Sequence, residues 1–523
     1  MTIFARIGAF YERRRTAVLV GGIGLFYLIN NLVWLGRDTL PPSWDQAAHA
    51  DHCLTYFRLF GEPMRLSLTK LLTVSSYYPP FFYVSTVPWS FLFGFSAAVL
   101  ALSEIVFLLV LVFAVIKIGD RLFSPAVGTG AAVLIALCPV VYGLSREILL
   151  DLPVIAMVAL TQYAILETRA GTDRKKSWAL GLALGLAVLI KWTAIVFVAG
   201  SFLAVFVGEI KRRRPPAGKV LISLAIALFM ALIVALPWYV ANSASIASGA
   251  AHSLSSDALR EGDPSALGLS FRWYWRALAR HLVSRPLGIF VLLGLAAFIP
   301  LARKKAGALA FLLAWALPAF LVFLVLPNKD GRYIAPLLAA PLILAAAGLD
   351  ALKPRTVKWA VWGLLALVGT VQFFALSFGS PAGLKNAYAR PPRSEDWKAG
   401  EILKSVADRW PDRPLRIAFL PDLAYFNFST FRFTAHIENR PFVIEPVGTA
   451  PGSIEALEGY DVLIIKAGPL AVRHTLKERA AFRDWIKESL KDKTPTGLPF
   501  RPWKSFLLPD RTKAFLYVRN GLK

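Results

Sequence analysis

The stretch ALGLALGLAVLIKWTAIVFVAGSFLAVFVGEIKRRR, residues 179–214, decides the class of this protein. A membrane helix needs about 20 apolar residues to cross a hydrocarbon core of roughly 30 Å. The segment up to Val207 exceeds that with one charge inside it, Lys191, and then ends in the basic run EIKRRRPPAGK. Its length and the central Lys191 predict two short, packed helices rather than one long one.

Working outward, eleven apolar runs fall at about 17–35, 97–118, 126–143, 150–167, 177–190, 191–207, 219–241, 287–302, 308–326, 333–350 and 356–378. The chain has 523 residues, 56% hydrophobic, with a mean hydropathy of +0.55, which excludes a soluble globular protein. A net charge of +25 could suggest nucleic acid. Its basic residues sit between apolar runs instead, which marks a membrane protein and an anionic lipid partner, with no nucleic acid. The two cysteines, Cys53 and Cys138, are too few for a disulfide framework or a cysteine metal cluster. The basic start MTIFARIGAFYERRR reads as a retained signal anchor.

With the N-terminus in the cytoplasm, KIGDRLF, ETRAGTDRKKS, EIKRRRPPAGK, ARKKAG and LKPRTVK become cytoplasmic loops, short and basic as the positive-inside rule requires. The segment 81–96 fits this count as an interfacial or re-entrant helix. The predicted architecture is an α-helical polytopic module over 1–380, with about 11 transmembrane helices, juxtamembrane helices and outer loops 36–80 and 242–286. A small extracytoplasmic α/β domain follows over 381–523. There PLRIAFLP, RPFVIEPV, YDVLIIKAG and KAFLYVRN read as strands and ERAAFRDWIKESLKD as an amphipathic helix.

An ionisable side chain at the centre of a membrane helix costs roughly 2.5–3.5 kcal/mol on insertion scales. Arg146, Asp151, Lys191, Lys329, Asp330 and Arg332 all fall at outer ends of runs, beside WDQAAHADH at 44–52, and Glu104 lies in the outer half of its run. They imply one polar cavity opening outward. Lys191, Lys329 and Arg332 suit a phosphate, because guanidinium forks and ammonium charges bind its oxygens. Tyr77, Tyr78 and Trp273 suit stacking on a sugar, and Asp45 is a candidate general base. His281 and Arg285 in the second outer loop read equally as acceptor contacts or solvated residues. Asp45, His49 and His52, at i, i+4 and i+7, share one face of a helix. That face reads either as a possible divalent metal site on His49 and His52 or as the wet side of an interfacial helix.

Several of these segments resemble the GT-C superfamily of polytopic glycosyltransferases, in the branch of protein O-mannosyltransferases and the lipid A aminoarabinose transferase. WDQAAH looks like its Asp-Glu motif, with Gln46 where that branch usually has Glu. YYPPFFYV is similar to its His-Pro-Pro-Leu-Tyr segment, SREILLDLP to its Ser-Arg…Asp element, and AVLIKWTAIVF to its Lys-containing helix. NKDGRYIAPLLAAPLILAAAGLD resembles its Arg-Tyr-x-x-Pro segment. The similarity runs in order over about 17–350. It implies transfer of a sugar, with inversion, from a polyprenyl-phosphate carrier to a lipid, glycan or protein acceptor at the outer face of the cytoplasmic (inner) membrane. It assigns the base to Asp45, the donor phosphate to Lys191, Lys329, Arg332 and Tyr333, and positioning to Arg146, Asp151 and Tyr78; it fixes no cofactor, and a divalent metal stays an open alternative. A secondary transporter or lipid flippase, which also places charges in a membrane cavity, is the rival reading. A non-catalytic subunit presenting the C-terminal domain is a third.

Overall fold

The computed structural model describes residues 3–62, 67–168, 173–212, 216–252, 263–264, 266–380, 383–411, 413–447, 457–468, 481, 483–484 and 499–522. The predicted helix ERAAFRDWIKESLKD lies almost wholly outside the described residues. All eleven apolar runs form helix. In chain order the helices of the first part are α1 Ile3–Leu35, α2 Trp44–Gly61, α3 Leu68–Thr73, α4 Phe81–Phe93, α5 Ala97–Ser103, α6 Ile105–Leu122 and α7 Pro125–Ala136. There follow α8 Pro139–Leu144, α9 Asp151–Glu167, α10 Arg174–Val188, α11 Ala194–Arg212, α12 Ala217–Ala241 and α13 Ser243–His252. The rest are α14 Leu267–Ala277, continued by a π-helical turn Leu278–Leu282, then α15 Arg285–Phe298, α16 Ala306–Val325, a 3-10 turn Gly331–Leu337, α17 Ala339–Asp350 and α18 Arg355–Phe378.

This is a multi-pass bundle, but eleven full spans are not what length supports. Among the described residues five helices are long and apolar enough to cross a membrane, or up to seven if each bent pair is one span. The difference has a physical cause. Hydropathy reports removal from water, and a run can be dry inside protein as well as inside lipid. The 17-residue α9 is buried along nearly its whole length, against α6, α10 and α11. The 179–207 run does break in two, with Lys191 in the turn between α10 and α11. The 81–96 segment forms the 13-residue α4, too short to span.

Small residues let the bundle close. Helices α15 and α17 approach at Gly294 and Gly348, where a side-chain carbon on Gly348 would fall on the Gly294 carbonyl oxygen. Lipid offers no hydrophobic drive between helices, so such backbone contact supplies the attraction.

After the linker, the C-terminal domain adds α19 Ala399–Arg409, β1 Leu415–Phe419, α20 Phe428–Ile437, β2 Phe442–Pro446, β3 Val462–Lys466, β4 Phe500–Leu507 and β5 Lys513–Arg519. The four predicted strands are present, and FRPWKSFL supplies a fifth, which mostly exposed side chains and Pro502 hide from an alternation test. The sheet order is β2-β1-β3-β5-β4, with β1 parallel to both neighbours and β5 antiparallel to both of its own. Phe419, Phe426 and Phe431 meet with centroids 4.5–5.3 Å apart under α19 and α20.

The linker and helix α20 both tie this domain to the bundle. Arg390 of the linker grips Asp38, just past α1, through a two-bonded fork at 2.7 and 2.8 Å, while its plane covers Trp34 at 4.8 Å. Helix α20 lies along α2, where Asp51 accepts from His436 at 2.6 Å and pairs with Arg432 at 3.5 Å. A Gly348→Val substitution is expected to cost about 1–3 kcal/mol by overpacking, seen as a lower unfolding midpoint in detergent. Gly363→Ala, with open space around its added carbon, should leave the midpoint in place.

Candidate functional site

Four separate segments deliver charged groups to one cleft. Helix α2 starts after Pro41, Pro42 and the extended Ser43, which puts Asp45 in its first turn. A carboxylate is favoured there by the unpaired N–H groups of a helix start. Its side chain is 64% exposed and stands outside the cleft lining, meeting the cleft through Arg332. Asp151 also lies in a first turn, that of α9, but is buried. Lys191 reaches Asp151 from the α10–α11 break at 3.3 Å, and Arg332 from the 3-10 turn at 3.4 Å.

Arg332 is the centre of the arrangement. Its Nε and Nη2 donate to Asp330 at 3.0 and 2.8 Å, and Nη2 lies 3.8 Å from the Asp45 carboxylate. Asp330 caps the 3-10 turn by accepting the Arg332 backbone N–H at 2.9 Å, and it also accepts from Tyr388 Oη at 3.2 Å. The cation is therefore aimed by the tight Asp330 pair. Its longer contacts to Asp151 and Asp45 leave donor capacity for a ligand. Lys191 stands 5.1 Å over the Tyr333 ring. The cleft, about 720 Å³, is lined by Asp151, Lys191, Arg332, Tyr333, Tyr77, Tyr78, Trp192 and Thr193 on its polar side and by Val154, Phe197, Phe323, Leu326 and Pro336 on its apolar side, with Asp45 and Asp330 held against its Arg332.

These named groups comprise two cations and three carboxylates. A bound anion is then held by directed N–H donors rather than by a net positive field.

Asp45, Tyr78, Asp151, Lys191, Arg332 and Tyr333 thus come together as the sequence proposed. Lys329 does not join them. Its ammonium donates to the carbonyls of Phe323 and Leu324, each at 3.0 Å, and of Leu326, closing the C-terminal end of α16. Three protons on three carbonyls leave none for a phosphate. Arg146 does not join them either. Arg146 is boxed by Trp34, Tyr142 and Phe373 at 5.4–6.0 Å, and its Nε donates to Asn31 at 2.9 Å. Glu104 is buried at the α5–α6 junction, outside the cleft lining.

His49 and His52 lie on α2 as expected, but they face tyrosine. His49 Nδ1 is 2.9 Å from Tyr83 Oη, and the His52 ring sits 5.2 Å from the Tyr83 ring. Among the described residues no three His, Cys, Asp or Glu side chains gather to hold a metal ion. Trp273 and His281 line a different cavity from Tyr77 and Tyr78. The sequence reading missed Asp330 as the clamp of Arg332, and it missed Tyr388 altogether. Asp330 stands two residues before Arg332, a signal of an Asx-type cap, whereas nothing local marks Tyr388.

Residues 79–240 match the family described as dolichyl-phosphate-mannose-protein mannosyltransferase. No curated protein sequence matches the chain. Among solved structures, ArnT from Cupriavidus metallidurans in the apo state is similar with a TM-score of 0.59 at 14% identity, over 96% of this chain and 97% of that one. ArnT bound to undecaprenyl phosphate is similar with a TM-score of 0.53 at 14% identity, over 96% and 98%. The oligosaccharyltransferase AglB from Archaeoglobus fulgidus, in complex with an inhibitory peptide and a dolichol-phosphate, is similar with a TM-score of 0.60 at 12% identity, over 97% and 74%. At these identities the likeness is one of fold.

Replacing Lys329 by Met should remove charge-assisted bonds worth roughly 1.5–3 kcal/mol and lower the unfolding midpoint in detergent. A midpoint equal to that of the unaltered protein would return this ammonium to ligand binding. A second expectation concerns acid. Burial, with added repulsion from His52, pushes the His49 imidazole down to about 3. An unfolded chain titrates near 6.5, so it takes up the proton first and stability falls between about pH 6.5 and 3. His49→Gln should flatten the fall of the unfolding midpoint across that window, and an unchanged slope would contradict the assignment.

Proposed function

We propose that this chain, which has the GT-C fold, is an inverting glycosyltransferase that moves a monosaccharide from a polyprenyl-phosphate carrier to an acceptor hydroxyl. The observation that carries the reading is an exposed carboxylate, Asp45, 3.8 Å from a guanidinium that lines the cleft and is itself fixed by Asp330. The carrier phosphate bonds to Arg332 and Lys191, drawing them from their long contacts with Asp151. Tyr333 lies beneath Lys191, and the apolar wall of Phe197, Phe323 and Leu326 receives the first part of the carrier chain. Tyr77 and Tyr78 face the sugar.

Asp45 takes the proton of the acceptor hydroxyl as its oxygen attacks the anomeric carbon. The bond from that carbon to the phosphate oxygen breaks on the opposite side, and its electron pair leaves with the polyprenyl phosphate. A phosphate is a good leaving group held by two cations, so one carboxylate suffices where a hydrolase uses a pair. Inversion follows from a single displacement. Asp151 acts behind the cations, holding Lys191 and Arg332 in place between ligands. Among the described residues no three metal-ligating side chains gather, and no step of this reading calls for a metal. The polyprenyl phosphate and dolichol phosphate named with two structures of the same fold support the carrier class. The short basic loops support a cytoplasmic-membrane protein with its N-terminus in the cytoplasm and the cleft outside.

Asp45→Asn is expected to abolish transfer from a polyprenyl-phosphate sugar in detergent, by about 10²-fold or more as for loss of a general base, with expression and unfolding midpoint intact. Full activity would remove Asp45 from the mechanism. Lys191→Gln should mainly raise KM for the donor.

A further inference from the structure

A second cavity of about 1030 Å³ opens on the other side of Asp330, bounded by Trp273, Arg276, Arg280, His281, Lys329 and Tyr388. Helix α14 explains its chemistry. Ser270, Tyr274 and Ala277 face inward, while Arg272, Arg276 and Arg280 form an exposed stripe at i, i+4 and i+8 that runs on into the π-helical turn. Beside it, Leu267, Phe271 and Trp275 form a second exposed stripe that is wholly apolar. The helix then meets α15 at 109°. An apolar stripe flanked by arginines on a helix turned away from the spanning direction is the pattern of a segment lying at headgroup depth.

Among the described residues neither Arg276 nor Arg280 forms an ion pair. The carboxylate on the cavity wall, Asp330, is already held by Arg332 at 2.8 Å and Tyr388 at 3.2 Å. Lys329 is spent on carbonyls. His281 Nδ1 accepts the Ala387 N–H at 3.3 Å, which leaves the ring proton on Nε2. The cavity therefore offers two unpaired guanidinium forks and one imidazole N–H.

We propose that this cavity binds the phosphate of an anionic lipid headgroup, as the acceptor subsite of the transferase. Two forks one helical turn apart match the oxygens of a phosphate, and the adjoining apolar stripe gives acyl chains a place that free phosphate does not need. The acceptor role rests on the glycosyltransferase reading. It follows from the shared wall, since Asp330 aims Arg332 into the donor cleft from one side and borders this cavity on the other.

The test uses purified protein in neutral detergent, titrated with a short-chain phosphatidic acid and followed by tryptophan fluorescence. Arg276→Gln with Arg280→Gln should weaken binding about tenfold or more, while Arg276→Lys with Arg280→Lys retains most of it and the unfolding midpoints agree. Lys191→Gln, in the donor cleft, should bind as the unaltered protein does. Equal binding by the Gln pair overturns the site, and loss in Lys191→Gln moves it to the donor cleft. Competition by inorganic phosphate at the same concentration as the lipid would make it a free-phosphate site. If the lipid binds through the arginines but the protein transfers no sugar, the acceptor role falls and the transferase reading with it, while the lipid site stands.

Discussion

One guanidinium joins the parts of this molecule that sequence keeps apart. Arg332 is shared among Asp330 beside it, Asp151 at the start of α9 and Asp45 at the start of α2. A buried ion pair is weak evidence of stability, because desolvation offsets much of the attraction, yet removing one partner strands the other charge. The arrangement therefore acts as a requirement on position. The start of α2, the start of α9, the α10–α11 break and the 3-10 turn must meet at one end of the bundle for any of these charges to be tolerated there.

The C-terminal domain is part of that requirement. Trp44 donates to Asp422 at 2.9 Å, Thr430 to the Pro42 carbonyl at 2.9 Å, and Arg58 to the His436 carbonyl at 2.6 Å. Together with the Asp51 contacts, these hold α2 from its first residue to its last turn. Asp45 is exposed, so its own contacts do not fix it. The helix that carries it is fixed instead, between α4 of the bundle and α20 of the C-terminal domain. The linker does the same for Arg332, because Tyr388 bonds Asp330 while Arg390 locks the exit of α1.

Much of this was legible in the chain. Every apolar run is a helix, the break at Lys191 is real, and four strands stand where alternation and β-branched residues put them. Tyr78, Asp151, Lys191, Arg332 and Tyr333 line one cleft and Asp45 meets its Arg332, the charged ones because charge is tolerated only at the ends of such helices. The misreadings have a common origin. Lys329 and Arg332 look alike at three residues' separation, but one turns back onto the open carbonyls of α16 and the other forward into the cleft. Arg146 reads as a cleft residue until three rings and Asn31 surround it. His49 reads as a ligand until Tyr83, more than thirty residues later, takes its nitrogen. Each outcome depends on which partner arrives, which local spacing does not contain.

Apolar length, basic loops and the position of each charge along its run were determined by the sequence alone, because solvent preference is a property of the side chain. Where those runs break and which of them are buried in protein was decided by tertiary packing. So were the cations left free for a ligand. Helix ends offer carbonyls, carboxylates and rings to any nearby cation, and only the meeting of distant segments settles which of them it takes.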